Sequence, residues 1–325
     1  MRRLALALTL CALGSPAQAF DCAKATSRFE KAICGDARAR DADAAMGKAF
    51  SDLTSGADAK ARAAATGAQI AWIKDRDSLC SQDKGAALAA CLAQASDLRR
   101  AFLAGAPEQG PGAPSRIIPW FRFEKGGPGK AAVDMELLKF ADPKSPGERA
   151  FNAGAAKFLE DITEPEKDDP AGDHYAFDNR MRLVYASPKL VSAQASGYAD
   201  SGGAHPNSNV ANINLDVAAG RLLKFDDAFD AKAARKVDAI CLEQVKAQKK
   251  ERMGDDAPLA PDDLKELGKS IADSTGDLGA WSFEATKAEV TYNPYAVGSY
   301  AEGAYGCELG YDALRPLLKP GFPLP

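Results

Sequence analysis

The sequence lacks the residue patterns on which metal, phosphate and nucleic-acid sites depend. Its 325 residues include only two histidines, His174 and His205, and no C-x-x-C pair of a zinc site. No glycine-rich phosphate loop is present. Acidic residues outnumber basic ones by 45 to 41, whereas nucleic acid is held by clusters of lysine and arginine. We therefore expect no metal, no cofactor and no nucleic-acid partner.

A hydrophobic run long enough to cross a bilayer is also missing. The apolar run Leu4–Leu13 is short, follows Arg2 and Arg3, and precedes Ala17-Gln18-Ala19, the A-x-A cleavage pattern of a secretory signal peptide. We expect cleavage after Ala19, a periplasmic or secreted mature protein, and no membrane anchor. Loss of the two arginines leaves 39 basic and 45 acidic residues, a mature net charge of −6.

Cysteine is scarce, and the even number beyond the leader indicates disulfides in an exported chain. Cys22 can reach Cys34 because five extended residues fold back along a short helix. Cys80 and Cys91 can staple the turn between two helices, and cross-pairing between these two sets is the alternative. The remaining cysteines predict a long-range bond, Cys241–Cys307, that fastens the end of the chain to a helix.

Proline is absent from residues 20–103 and recurs in the Ala-, Gly- and Pro-rich segment 104–116, which predicts a linker. The region before the linker has the periodicity of packed helices, with a capping box opening at Ser27 and apolar stripes that include Leu79 and Leu98. We predict a helical domain of disulfide-stapled hairpins over 20–103. Beyond the linker, mixed strand and helix patterns predict an α+β domain with a mainly antiparallel sheet over 117–325.

One strand of that second domain shows a regular alternation. Ile213, Leu215 and Val217 alternate with polar residues, the pattern of a strand with one face in the core and one face in solvent. We therefore expect the polar positions, Asn212 and Asn214 among them, to be exposed.

A cysteine and aromatic pattern marks the first region. Cys22 and Cys34 have C-x(11)-C spacing, and Gln69 to Cys80 read Q-x-x-W-x-x-x-R-D-x-x-C. With these residues, 20–103 resembles the LprI-type lysozyme-inhibitor domain, and the resemblance implies binding of lysozyme. Within the pattern, we interpret Arg76-Asp77 as a structural ion pair.

Two loop signatures mark the second region. They are Gly202-Gly203-Ala204-His205-Pro206 and Asn293-Pro294-Tyr295, the latter followed by Tyr300-Ala301-Glu302-Gly303. With them, residues 146–318 resemble the extracytoplasmic domain shared by RsiV-type anti-sigma factors and PdaC-type envelope proteins. RsiV-type proteins are lysozyme receptors, so this resemblance also implies a lysozyme-type partner. We expect neither the membrane tether of the RsiV type nor the deacetylase domain of the PdaC type.

The partner-binding surface is predicted on the loop that begins at Ser201, with the loop Asn293–Tyr300 beside it, because tyrosine is favoured in protein interfaces. It would occlude the cleft of a lysozyme or bind another basic envelope protein. The alternative is an envelope module that binds peptidoglycan fragments or another envelope protein without inhibiting lysozyme. The predicted contact residues are Ser201, Gly202, Gly203, His205, Pro294, Tyr295 and Tyr300.

A hydrolase is the third hypothesis, because Asp200, Ser201 and His205 lie close together in the sequence. One short glycine-rich loop seldom gives relay geometry, so we predict that the protein is not an enzyme. We interpret the segment as a tight turn with positive φ at Gly202 and Gly203 and a hydrogen-bonded His205. A hydrolase would instead show a nucleophile or a carboxylate pair in a pocket near His205 or His174.

Overall fold

The structure is a computed structural model that describes residues 21–160, 162–165 and 175–325. The predicted signal peptide with its cleavage site, and His174, lie outside these residues. The chain divides into two compact units. The first contains the described residues up to Gly56 together with Arg76–Arg100, and the second contains Ala57–Asp75 together with Ala101–Pro325. The predicted domain boundaries, 20–103 and 117–325, stay a prediction.

The first unit is helical, as predicted. The first four helices of the chain are α1 (Arg28–Gly35), α2 (Ala37–Ser55), α3 (Ala59–Leu79) and α4 (Gly85–Leu103), and α3 contributes residues to both units. The predicted capping box opens α1: the Ser27 hydroxyl accepts the Glu30 amide, and the Glu30 carboxylate accepts the Ser27 amide.

Two disulfides staple this unit in the local pairing that the spacing allows. Cys22 bonds Cys34 and Cys80 bonds Cys91, with Cα atoms 5.6 and 5.8 Å apart. Cross-pairing between the two sets is therefore excluded. Short loops closed in this way add stability to a core that is lined largely by alanine.

Arg76 forms the predicted ion pair with Asp77 in the interior of the first unit. The Arg76 guanidinium also donates to Asp43 at 3.1 Å, and Arg76 is buried. Burial raises the pKa of Asp43, and the charge and hydrogen bond of Arg76 oppose that rise. Each buried charge therefore has a partner, which is the condition for an ion pair inside a core.

Two leucines predicted on the buried stripes are exposed, so that prediction is wrong for them. Leu79 is 74% exposed because it precedes Cys80, whose side chain is fully buried, and adjacent helical side chains point about 100° apart. Leu98 is exposed because the neighbouring positions Ser96 and Arg99 turn inward.

The second unit contains two sheets, and the larger is mainly antiparallel as predicted. Its strands lie in chain order, and among the strands that the structure describes only β2 (Ala132–Phe140) and β3 (Ala176–Ala186) pair with each other in parallel. A three-stranded antiparallel sheet follows later in the chain. The larger sheet consists of β1 (Ile117–Glu124), β2 (Ala132–Phe140), β3 (Ala176–Ala186), β4 (Leu190–Asp200), β5 (Asn207–Asp216) and β6 (Arg221–Leu222), and the smaller of β7 (Trp281–Phe283), β8 (Lys287–Tyr292) and β9 (Tyr305–Gly310).

Helix α5 (Pro146–Lys157) packs against the larger sheet, whereas α7 (Ala231–Met253) and α8 (Pro261–Thr275) pack against the smaller sheet. Phe151 on α5 packs its ring edge-on against Phe140 of β2, with centroids 5.2 Å apart. A separate core joins α7 and α8 to β7, β8 and β9 around the fully buried Trp281. The helices of this unit, apart from α3, are α5 (Pro146–Lys157), α6 (Phe225–Ala228), α7 (Ala231–Met253), α8 (Pro261–Thr275) and α9 (Tyr311–Leu314).

The polar residues of the second half of β5, Asn212, Asn214 and Asp216, are buried, so the expectation of a half-exposed strand is wrong for that half. The polar residues at the start of the strand, Asn207, Ser208 and Asn209, are exposed. The Asn212 amide donates to the carbonyl of Gly279 at 3.0 Å. The Asn214 amide donates to Leu278 at 2.9 Å and to Trp281 at 2.8 Å. These bonds satisfy the amide nitrogens of both side chains and tie β5 to the segment that enters β7.

The third disulfide joins α7 to β9 inside the second core. Cys241 and Cys307 are fully buried, and their Cα atoms lie 5.2 Å apart. The bond closes a loop across 66 positions of sequence. In the chain-entropy model a loop of this length restricts the unfolded chain more than the shorter loops of the first unit do, although the dependence on loop length is only logarithmic.

Replacement of both cysteines, Cys241→Ala with Cys307→Ala, should lower the free energy of unfolding of the second unit by about 4 kcal/mol. Urea unfolding of the oxidised full chain, followed by circular dichroism, measures the change. The matched control is Cys22→Ala with Cys34→Ala, whose shorter loop corresponds to about 3 kcal/mol and lies in the other unit. An unchanged transition of the second unit in the first variant would contradict the prediction.

Candidate functional site

The two loops predicted to bind a partner lie side by side in the second unit. The rings of His205 and Tyr300 stack with centroids 3.7 Å apart and planes inclined by 15°. Tyr295 completes the group, with its hydroxyl 3.0 Å from His205 Nε2 and its ring 5.8 Å from that of Tyr300. We call these three residues the His–Tyr cluster.

One asparagine brings the two loops together. Asn293 directly follows β8, and its side chain bonds both main-chain groups of Val210 in β5. The Val210 amide donates to Asn293 Oδ1 at 2.7 Å, and Asn293 Nδ2 donates to the Val210 carbonyl at 2.9 Å. Because the loop from Ser201 leads directly into β5, this pair of bonds places the loop after β8 next to it.

The Ser201–Pro206 loop is a tight turn, as predicted, but it needs only one glycine with positive φ. The Asp200 carboxylate accepts the Gly202 amide at 3.1 Å, and Gly202 has φ +74°. Gly203 has no positive φ, so the prediction for that residue is wrong. Ser201, Gly202 and Gly203 are all exposed at the surface.

His205 is hydrogen-bonded at both ring nitrogens, and neither partner belongs to a catalytic relay. Nδ1 lies 3.0 Å from the Pro206 carbonyl, which only accepts, so Nδ1 is the donor. In the neutral ring Nε2 is then an acceptor, and the Tyr295 hydroxyl donates to it. Neither Ser201 nor Asp200 is a partner of His205, so the relay geometry of the hydrolase hypothesis is not formed at this turn.

Tyr295 has a backbone conformation that residues other than glycine seldom adopt. Its φ is +71°, the one positive φ of a non-glycine residue in the described ranges. A Cβ in this conformation costs about 1–2 kcal/mol. The side chain is nevertheless 62% exposed. Strain combined with exposure is typical of a functional residue, because folding alone gains little from it.

A buried ion pair supports the segment that carries Tyr300. Lys249 Nζ lies 2.5 Å from Glu302 Oε2, with the two side chains 3% and 11% exposed. Glu302 also accepts the Ser299 amide and the Tyr305 hydroxyl, both at 2.7 Å. These bonds therefore fix the turn that contains Tyr300, because Glu302 at the end of the turn binds Ser299 before it and also binds Lys249 and Tyr305.

The surroundings of this ion pair shift the pKa values of Glu302 and Tyr305 in opposite directions. Burial alone would raise the pKa of Glu302, but the hydrogen bonds from Lys249, Ser299 and Tyr305 and the charge of Lys249 outweigh it and hold the pKa at about 2. Burial and the adjacent Glu302 raise the pKa of Tyr305 to about 12. At neutral pH Glu302 is consequently an ionised carboxylate and Tyr305 a neutral phenol.

A cavity of about 620 Å³ adjoins the His–Tyr cluster at Tyr300. Its lining includes Tyr198, Asp178 and Arg180 from the larger sheet, together with Asn293, Pro294 and residues 300–304. No sequence pattern singled out Tyr198, Asp178 or Arg180, because Tyr198 lies on β4, Asp178 and Arg180 lie on β3, and only the sheet register brings the two strands together. The burial of Lys249, in contrast, could have been predicted from the sequence, because Lys249 continues the apolar stripe of Val237, Cys241 and Val245 at four-residue spacing.

Comparison with known families identifies the first region. Residues 22–103 match the family model of lysozyme inhibitor LprI. This LprI segment contains α1 to α4, both local disulfides and the Arg76–Asp77 ion pair. The comparison with curated proteins found no match.

Two solved structures are similar to this chain, and each match covers more of it than the LprI segment does. A DUF3298 family protein from Pseudomonas aeruginosa PAO1 is 17% identical, covering 64% of this chain and 94% of its own, with a TM-score of 0.37. A DUF3298 family member from Bacteroides fragilis NCTC 9343 is 16% identical, covering 63% and 92%, with a TM-score of 0.39.

Removal of the Glu302 charge, by Glu302→Gln, should lower the free energy of unfolding by about 3 kcal/mol, because it leaves the buried Lys249 ammonium without a counter-charge. Urea unfolding at pH 7 measures this loss. The control Glu308→Gln removes an exposed pair with Lys287 and should cost less than about 1 kcal/mol.

The pH dependence of that loss has a defined sign. Glu302 has a lowered folded pKa, so its stabilisation is fully present above the ordinary value of 4.5 and is lost as the pH falls toward about 2. The stability difference between wild type and Glu302→Gln should shrink over this interval. A difference that stays constant from pH 5 to pH 2 would be inconsistent with the ion pair.

Tyr295→Gly should be more stable than Tyr295→Ala by about 1 kcal/mol, since glycine has no Cβ to clash at positive φ. Both variants lose the same ring, so urea unfolding isolates the backbone contribution. The same two substitutions at Tyr198, a strand residue without positive φ, should give the opposite order. Greater stability of the alanine variant at position 295 would argue against backbone strain.

Proposed function

We propose that the protein is an exported inhibitor that binds a lysozyme-type glycosidase and occludes its substrate cleft. The observation that carries the proposal is the match of residues 22–103 to lysozyme inhibitor LprI. The three disulfides fit an oxidising compartment such as the periplasm or the cell exterior. In the described ranges, no helix has the length and apolar character needed to cross a membrane.

The contact surface that we propose is the His–Tyr cluster with the neighbouring loop residues. Tyrosine supplies a large contact area and orders few rotatable bonds, and it is enriched where interfaces concentrate their binding energy. The stacking of His205 on Tyr300 and the hydrogen bond from Tyr295 fix the rings before a partner arrives. Such preorganisation lowers the entropy lost on binding. The loop residues are Ser201, Gly202, Gly203 and Pro294.

Net charge supports the choice of a basic partner. The full chain carries a formal charge of −4, and the proposed mature chain carries −6. An acidic protein attracts a basic lysozyme over distances comparable to the Debye length, which speeds association more than it increases affinity. We therefore expect the rate of binding to fall as salt is added.

The test is inhibition of cell-wall lysis by c-type and g-type lysozymes, followed as turbidity in the presence of the full chain. Wild type should inhibit at least one class, and Tyr295→Ala should raise the inhibition constant by about tenfold or more, as for loss of a central interface tyrosine. Tyr295→Phe removes only the hydroxyl bonded to His205 and should have a smaller effect. Lys265→Ala, at an exposed position of α8, is the surface control and should behave as wild type.

Absence of both binding and inhibition by wild type at micromolar concentration would refute the proposed function. Inhibition that persists in Tyr295→Ala and in His205→Ala would refute the proposed surface and leave the LprI segment as the place to search. Circular dichroism of each variant distinguishes a lost contact from a lost fold.

A further inference from the structure

The cavity beside Tyr300 has a floor made by three adjacent strands. Asp178 of β3 lies opposite Tyr198 of β4, which lies opposite Ser208 of β5, and Arg180 lies opposite Ser196 in the same register. Alternate residues of a strand share one face, so these five side chains form a single surface. Asn293, Pro294 and residues 300–304 form the wall. The cavity volume of about 620 Å³ lies in the range of small-molecule binding sites, so the cavity can hold a ligand larger than a single side chain.

The charges of this cavity disfavour an anionic ligand. Arg180 is the cation of the floor, and its guanidinium contacts four carboxylates at 2.8–3.1 Å. Glu302, in the wall, is negative and paired with Lys249. A phosphate or carboxylate would therefore meet excess negative charge at the cavity. The four carboxylates around Arg180 belong to Asp75, Asp134, Glu136 and Asp178.

The remaining lining combines aromatic rings with hydroxyl groups. Tyr198 on the floor is 40% exposed, and Tyr300 contributes to the wall. Among the described residues, none forms a hydrogen bond with the side-chain hydroxyls of Ser196 and Ser208, although both line the cavity. Rings next to hydroxyl, carboxylate and guanidinium groups can contact both an apolar C–H face and a row of polar hydroxyls.

We propose that this cavity binds a short, uncharged oligosaccharide. A pyranose presents C–H groups on one face, which suit the rings of Tyr198 and Tyr300, and hydroxyls at its rim, which suit Asp178 and Ser208. A purely apolar ligand would bury the polar floor without hydrogen bonds, which is unfavourable. The site goes beyond inhibition of lysozyme, because its ligand is a glycan. Its floor is separate from the contact residues proposed for the protein partner, whereas Pro294 and Tyr300 of that surface also line its wall.

The probe is tri-N-acetylchitotriose, which is soluble and uncharged, titrated into the full chain by calorimetry and by saturation-transfer NMR. Wild type should bind it saturably. Tyr198→Ala should weaken binding by about tenfold, the effect expected when an aromatic contact is removed. Tyr198→Phe keeps the ring and should retain binding within about threefold, since it loses at most one neutral hydrogen bond. Leu79→Ala, an exposed residue of the first unit, is the control and should match wild type.

A second variant does not depend on the tyrosine. Ser196→Trp fills the cavity from its floor and should abolish saturable binding while circular dichroism stays unchanged. No saturation with wild type, or equal affinities of wild type and Tyr198→Ala, would overturn the proposal. Binding of a tri-arginine peptide that depends on Tyr198, without binding of the trisaccharide, would overturn it in favour of a cationic peptide. These titrations contain no lysozyme, so their failure is distinguishable from failure of the proposed function.

Discussion

Asparagine side chains bonded to main-chain atoms hold the second unit together at the place where its two sheets meet. Asn212 and Asn214 bond carbonyls just before and within β7, and Asn293, just after β8, bonds Val210 of β5 in return. Hydrophobic contact is non-directional and tolerates sliding, whereas an amide with two fixed partners defines one register. The arrangement of the His–Tyr cluster depends on this register, since one loop leads into β5 and the other follows β8.

The sequence was informative wherever one local rule determined the outcome. A capping box marked the start of α1, and cysteine spacing predicted the local disulfides. Periodicity was less reliable where a polar residue is buried. It placed Asn214 in solvent, because alternation reports polarity and does not report whether a second layer supplies hydrogen bonds. The strand β9 was missed because Gly306 and Gly310 weaken an alternation that Tyr305, Cys307 and Leu309 otherwise show.

The candidate site was accessible to prediction only in part. Its two loops carry recognisable signatures, so His205, Tyr295 and Tyr300 were selected from the sequence and lie together in the structure. The cavity floor was not accessible, because Arg180 and Tyr198 become neighbours only through strand pairing over long sequence distances. The strain at Tyr295 was hidden for a different reason: positive φ is expected of glycine, and the sequence gives no sign that a tyrosine adopts it.

Because a disulfide joins α7 to β9, part of the structure is completed only after the chain has been oxidised. Strand β9 begins at Tyr305, directly after the turn that carries Tyr300, and Cys307 ties that strand to Cys241. A chain whose thiols are still reduced lacks this tether, so the wall of the cavity is anchored only by non-covalent contacts. Oxidation of these two thiols is therefore a maturation step, because the strand that follows Tyr300 is covalently anchored only once Cys241 and Cys307 have paired.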